Sequence, residues 1–128
     1  MIRISKNAGL TDVVTDLNPI STEHPVTGSA VEVRLWLFND NADKRYTGVS
    51  VQPTDDDAPD DSTWVQLAPD NDGEPGTYLA GGAALSMADI DDSDVGTPFW
   101  ARITTPVVPD TVNKTDIKLK VGAREYAV

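Results

Sequence analysis

The stretch Ser29-Ala30-Val31-Glu32-Val33-Arg34-Leu35-Trp36-Leu37-Phe38 decides the fold class. Val31, Val33, Leu35 and Leu37 recur at every second position, and a strand turns alternate side chains to opposite faces. That row is therefore a core face. Glu32, Arg34, Trp36 and Phe38 share the other face, a mixed one that calls for partial cover by a loop, a neighbouring strand or another chain. Asn39–Lys44 (NDNADK) is a turn by composition. Tyr46–Val51 resumes as a strand with Val49 and Val51 on one face, and Pro53 is expected to end it. Strand, polar turn and strand make either a hairpin or a corner between two sheets.

The same period of two recurs on both sides of this unit. In Pro98–Thr104 (PFWARIT), Phe99, Ala101 and Ile103 face one way and Trp100, Arg102 and Thr104 the other. Thr115–Val121 puts Ile117, Leu119 and Val121 inside. Ile2–Ser5, Leu10–Leu17 and Trp64–Leu67 read as short strands. Tyr78–Ala80 has the character of a brief pairing, Ala83–Ile90 that of a strand or short turn, and Glu125–Val128 that of a last strand or tail. Asn18-Pro19 and His24-Pro25 punctuate an irregular connection. No segment of ten or more residues carries helical periodicity. Residues 1–128 thus read as one all-β domain, a sandwich of about seven to nine short strands with long acidic loops, with a closed barrel as the competing architecture.

Charge is distributed unevenly. The chain carries a net −11, yet residues 46–101 hold eleven Asp, one Glu and no Lys or Arg, while residues 1–45 and 102–128 sum to −1 and +2. Seventeen of the twenty-one acids are Asp, a turn and cap residue, so the acidity belongs to loops. The runs are Thr54–Ser62 (TDDDAPDDS), Pro69–Gly76 (PDNDGEPG) and Asp91–Thr97. Such a surface repels nucleic acid and anionic membrane and attracts cations and basic protein surfaces. No run of 18 apolar residues offers a membrane span. The start MIRISKNAG lacks an apolar signal core, so synthesis in the cytosol is expected.

Chemistry finds few footholds. With no cysteine there is no disulfide, thiolate metal site or Cys nucleophile. His24 stands alone between two Pro-containing turns, and no Gly-x-Ser-x-Gly elbow is present. Gly81-Gly82 is not followed by Gly-Lys-Ser/Thr. Asp70-Asn71-Asp72-Gly73 fails as an EF-hand, because Gly73 at the sixth position puts Ala68 first and Leu79 twelfth, where acids belong. An irregular calcium site from Asp55, Asp56, Asp57 and Asp91 is a weaker alternative to solvated carboxylates. Asn113-Lys114-Thr115 fits a glycosylation acceptor, read as a coincidence in a turn. No catalytic, cofactor or metal residue is assigned. Trp36, Phe38 and Trp100 fall opposite the apolar rows, and Trp64 and Tyr78 flank the acidic loops. These five are the interface candidates, since Trp and Tyr are favoured anchors of protein contacts.

Two blocks carry a resemblance. Val31–Asn39 followed by Tyr46–Val51 resembles the strand–Asn–turn–strand rhythm of bacterial cell-adhesion Ig-like modules. Together with the Ile-Arg-Ile start, Pro98-Phe99-Trp100-Ala101-Arg102-Ile103-Thr104 and Asn113-Lys114-Thr115-Asp116-Ile117, the chain resembles small Ig-like virion structural proteins of tailed phages over about half its length. The resemblance implies a non-enzymatic structural protein of the virion, made in the host cytoplasm. As a capsid decoration or cement protein it would be present in many copies or as a homo-oligomer bound to major capsid or tail proteins, with no nucleic acid or membrane partner. A tail, collar or baseplate accessory role is the alternative within that class. A carbohydrate- or calcium-binding adhesion module, using Trp64, Tyr78 and the Asp loops, is the alternative outside it.

Overall fold

A computed structural model describes residues 2–15, 20–24, 29–54, 64–91, 95–105 and 112–127. Nine strands lie among these residues: β1 (Ile2–Ser5), β2 (Ile20–His24), β3 (Ser29–Asn39), β4 (Lys44–Thr54), β5 (Val65–Asn71), β6 (Glu74–Pro75), β7 (Leu85–Ser86), β8 (Thr97–Thr105) and β9 (Val112–Ala127). No α-helix occurs among the described residues. The strands form two sheets, ordered β1-β3-β8-β5-β6 and β2-β9-β4-β7, and every pairing between strands is antiparallel.

One apolar core lies between the sheets. Ile4, Leu35, Leu37, Val65, Leu67, Phe99, Ala101 and Ile103 come from the first sheet, and Tyr46, Val49, Val51, Leu85 and Ile90 from the second side. The period-two rows of β3 and β8 are thus the inner face of the five-stranded sheet. Their register aligns Val31 with Ile103, Val33 with Ala101 and Leu35 with Phe99. A one-residue slip would turn all of these to the outside, so the burial itself fixes the register.

Asn39–Lys44 is a corner between sheets: β3 belongs to one and β4 to the other. Asn39 is fully buried and holds the corner from inside. Its Nδ2 donates to the Lys44 carbonyl at 2.6 Å, and its Oδ1 accepts from the Asn41 amide at 3.0 Å. Asn41 repeats the device, accepting from the Asp43 amide at 2.9 Å.

Several local expectations are revised. Pro53 does not end its strand; it is buried within β4 opposite Leu119. It is tolerated there because β7 pairs only with Ser50 and Val51, leaving no ladder partner beside it on that edge. Within Leu10–Leu17, the described part supplies an isolated bridge from Val13 to Ser5 instead of a strand. The expected irregular connection around His24 contains β2, whose ladder with β9 supplies pairing that its weakly apolar ISTEH sequence does not announce. Pro69–Gly76 is a hairpin, not a loop. β5 pairs with β6 across Asp72 and Gly73, both at positive φ (53° and 91°), the two-residue turn that Asp-Gly favours. Thr54–Ser62, apart from Thr54 itself, and Asp92–Asp94 lie outside the described residues.

The winding also differs from the Ig arrangement. An Ig sandwich keeps several consecutive strands side by side in one sheet. Here every connection except β5–β6 crosses to the opposite sheet. Alternation of apolar residues reports which face a strand buries, but not which strand lies beside it.

Candidate functional site

The outer face of the five-stranded sheet carries a continuous polar and aromatic network. Strand register builds it in rows: Glu32, Arg102 and Gln66 lie side by side across β3, β8 and β5, as do Arg34, Trp100 and Ala68, while Trp36 lies opposite Pro98. All of these except Ala68 and Pro98 point a polar or aromatic group away from the core. The mixed face expected from the sequence is thus a real surface, and a loop supplies its partial cover.

That loop is residues 76–82. Its amides at Gly76, Leu79 and Gly82 donate to the carbonyls of Pro69, Leu67 and Val65 at 2.8, 2.9 and 3.0 Å. The segment runs along β5 and seals an edge that would otherwise offer free ladder groups. From it Tyr78 reaches across two strands. Its hydroxyl donates to Glu32 Oε2 at 2.6 Å, and the Arg102 guanidinium stacks over its ring at 4.1 Å from the centroid. Arg102 also donates through Nε and Nη2 to Gln66 Oε1 at 3.1 and 2.9 Å, while Gln66 Nε2 donates to the Leu79 carbonyl at 3.1 Å. Glu32, Arg102, Gln66 and Tyr78 therefore hold one another. Burial first, then the bond to Glu32 and its charge, push the Tyr78 hydroxyl well above its ordinary pKa, with Arg102 partly opposing.

A second group adjoins it. Asp70 Oδ1 accepts from Trp100 Nε1 at 2.8 Å and lies 3.0 Å from Arg34 Nε; Oδ2 accepts from Arg34 Nη2 at 3.1 Å and from the Gly73 amide at 3.2 Å. The Nε approach is short but poorly directed, so that N–H makes no hydrogen bond and the Nη2 bond is the better one. Arg34 also lies over the Trp36 ring, 5.0 Å from its centroid. Trp36 is flanked by Leu10 and Gly96: a Cβ on Gly96 would stand 2.8 Å from Leu10 Cδ2 and 3.2 Å from Trp36 Cδ1, so any larger residue there would displace the Leu10 side chain. Leu10 itself has φ +60°, an uncommon setting for a non-glycine residue.

The five interface candidates therefore separate. Trp36, Tyr78 and Trp100 meet on this one face, each half-buried. Phe38 is buried at 7% exposure, outside the main core cluster, and has little surface to offer a partner. Trp64 is half-buried just before β5. Glu32, Arg34, Gln66, Asp70 and Arg102 were not singled out from the sequence. The signal for four of them was the alternation that puts them opposite core residues; Asp70 was hidden inside a run read as loop.

Among the described residues no group of three or more His, Asp or Glu is arranged to hold a metal ion, and no helix is long and apolar enough to cross a membrane. Comparison with protein-family models, with curated proteins and with solved structures finds no match to this chain.

Proposed function

We propose that this protein is a non-enzymatic structural component that attaches to neighbouring protein subunits through the outer face of its five-stranded sheet, as a decoration protein on the capsid of a tailed phage. The observation that carries the docking part is the charge balance of that face. The molecule bears −11, yet on this face Asp70 pairs with Arg34, and Glu32 accepts from Tyr78 beside its cross-strand neighbour Arg102, which is held by Gln66. Covering a charge is costly when it loses water without a partner. Here the partners are already in place, so a neighbour meets Trp36, Tyr78, Trp100 and the two arginines with their polar atoms largely satisfied. Trp, Tyr and Arg are the residues that dominate binding energy at protein interfaces. Each copy would contribute a modest area, and a symmetric lattice would multiply it.

The virion assignment rests on the sequence blocks at residues 31–51 and 98–121. The Ig-like label rests on the same strand rhythm, whereas the alternation of strands between sheets is closer to the jelly-roll pattern. Either sandwich suits a structural role, and fold alone carries no function. The test is the protein inventory of purified particles from the host culture. The reading expects this chain in a fixed copy number with capsid subunits; a chain found only as a free monomer, absent from particles, overturns it. A fixed low copy number with tail proteins would instead support the accessory role.

A second reading, a carbohydrate-binding module, draws on the same face, where Tyr78 and Trp100 stand beside a carboxylate, a guanidinium and an amide. Saturable binding of glycans that Tyr78→Ala abolishes would favour it.

A further inference from the structure

Away from this face, the two sheets part to form a cleft. Ile2 of β1 faces Val121, Ala123 and Glu125 of β9, with Tyr46 of β4 at the base, around a cavity of about 350 Å³. The cleft exists because β1, at the edge of its sheet, has four residues while β9 has sixteen. Near the end of β9 the inner-facing Ala123 and Glu125 consequently remain exposed.

The lining is apolar with one charged group. Ile2 and Val121 are half-buried and pack against the core. Tyr46 and Glu125 are direct cross-strand partners, and the Tyr46 hydroxyl donates to Glu125 Oε1 at 2.9 Å. Among the described residues the other carboxylate oxygen has no hydrogen-bond partner, and no cation pairs with it. Of the nearby cations, Arg45 and Arg124 lie one position from the Tyr46–Glu125 pair and so point to the opposite face of the sheet, where Arg45 stacks over Tyr126, whereas Lys44, opposite Ala127, shares the pair's face but forms no ion pair with Glu125. Burial chiefly, then the bond to Glu125 and the negative charges of Glu125 and Asp40, hold the Tyr46 hydroxyl above its ordinary pKa.

We infer that this cleft receives a lysine side chain from a basic segment of a partner protein, with its methylene stem against Ile2, Val121 and Ala123 and its ammonium donating to the second oxygen of Glu125. The size fits: the volume lies near the lower end of ligand sites, which span about 300–1,000 Å³, and suits one side chain and not a cofactor. The charge fits as well. An anion would be repelled, and a neutral aliphatic group would strip water from Glu125 without replacing it. Lysine is preferred to arginine because a guanidinium gains most from a bidentate carboxylate, and one oxygen is already taken by Tyr46. The net −11 of the chain adds steering of basic segments toward it. This site stands on its own geometry, whether or not the outer face docks a subunit.

The test uses the full chain, isotope-labelled, and amide chemical shifts. The probes are Nα-acetyl-lysine-N-methylamide and its norleucine, arginine and free putrescine counterparts. The lysine probe should give saturable shifts at Ile2, Tyr46, Ala123 and Glu125 with a millimolar Kd. Norleucine should bind about tenfold more weakly, the factor that a charge-assisted hydrogen bond carries. Glu125→Gln keeps an acceptor for Tyr46 and so should leave the spectrum folded while weakening the lysine probe by the same factor. Ala123→Leu, which fills the cleft, should abolish binding, and its spectrum reports whether it is folded. Equal binding of lysine and norleucine, no effect of Glu125→Gln, tighter binding of arginine or putrescine than of lysine, or no saturable shift would each overturn the assignment.

Discussion

Asp70→Asn tests whether the outer face is held as one unit. Asp70 is 10% exposed and accepts from Trp100, Arg34 and the Gly73 amide, using both oxygens. An asparagine cannot replace it in either orientation. An NH2 in place of Oδ1 meets the Trp100 N–H, and in place of Oδ2 it meets the Gly73 and Arg34 donors. Breaking a buried ion pair by removing one member costs about 3–5 kcal/mol. Arg34 is 33% exposed and can turn partly to water, which brings the expected loss to about 2 kcal/mol. Urea unfolding at neutral pH, followed by tryptophan fluorescence, measures it. A second arm uses acid. Burial alone would raise the Asp70 carboxyl, but the bonds from Trp100, Gly73 and Arg34 and the Arg34 charge outweigh it and hold the group below its ordinary value. A lowered folded pKa means that the stabilisation is fully present above the unfolded value, about 3.9, and is lost as pH falls through the folded one. Asp70→Asn should therefore flatten part of the stability decline below about pH 4. A loss under about 0.5 kcal/mol, or an unchanged acid limb, would refute the argument that Asp70 anchors the face.

Other outcomes follow from the same contacts. Asn39→Ala should cost about 2 kcal/mol in urea unfolding, because the Lys44 carbonyl and the Asn41 amide lose their partner at the corner. Gly73→Ala should cost about 1 kcal/mol in the same assay, since φ is +91° there, and the amide at position 73, which bonds Asp70, should lose hydrogen-exchange protection. Tyr46 and Tyr78 both favour the neutral phenol when folded, so their stabilisation is present below about pH 10 and lost as pH rises past it. In an absorbance titration, Tyr46→Phe and Tyr78→Phe should each remove signal from the high-pH limb.

Much of the architecture was legible because it follows from alternation alone. The inward rows of β3 and β8 and the core role of Val49 and Val51 needed nothing but a period of two. What sequence could not supply is adjacency. Glu32 and Tyr78 are 46 positions apart and Gln66 and Arg102 are 36 apart, and only the ladder order β3-β8-β5 brings them together. β2 was missed because its pairing with β9 compensates for few apolar residues. The turn at Asp72-Gly73 is legible from its composition, but the short strands that pair across it, Asp70-Asn71 with Glu74-Pro75, carry no apolar alternation to announce them. Phe38 shows the opposite failure, since its outward register suggested a surface aromatic and it is nonetheless buried.

The central claim is that the face bearing Trp36, Tyr78 and Trp100 is the docking surface. Hydroxyl-radical footprinting of the free protein against the particle-bound protein measures it most directly. The account predicts that modification of these three residues falls several-fold in the bound state while that of exposed Tyr126, on the other sheet, is unchanged. Equal modification of the three in both states would contradict it.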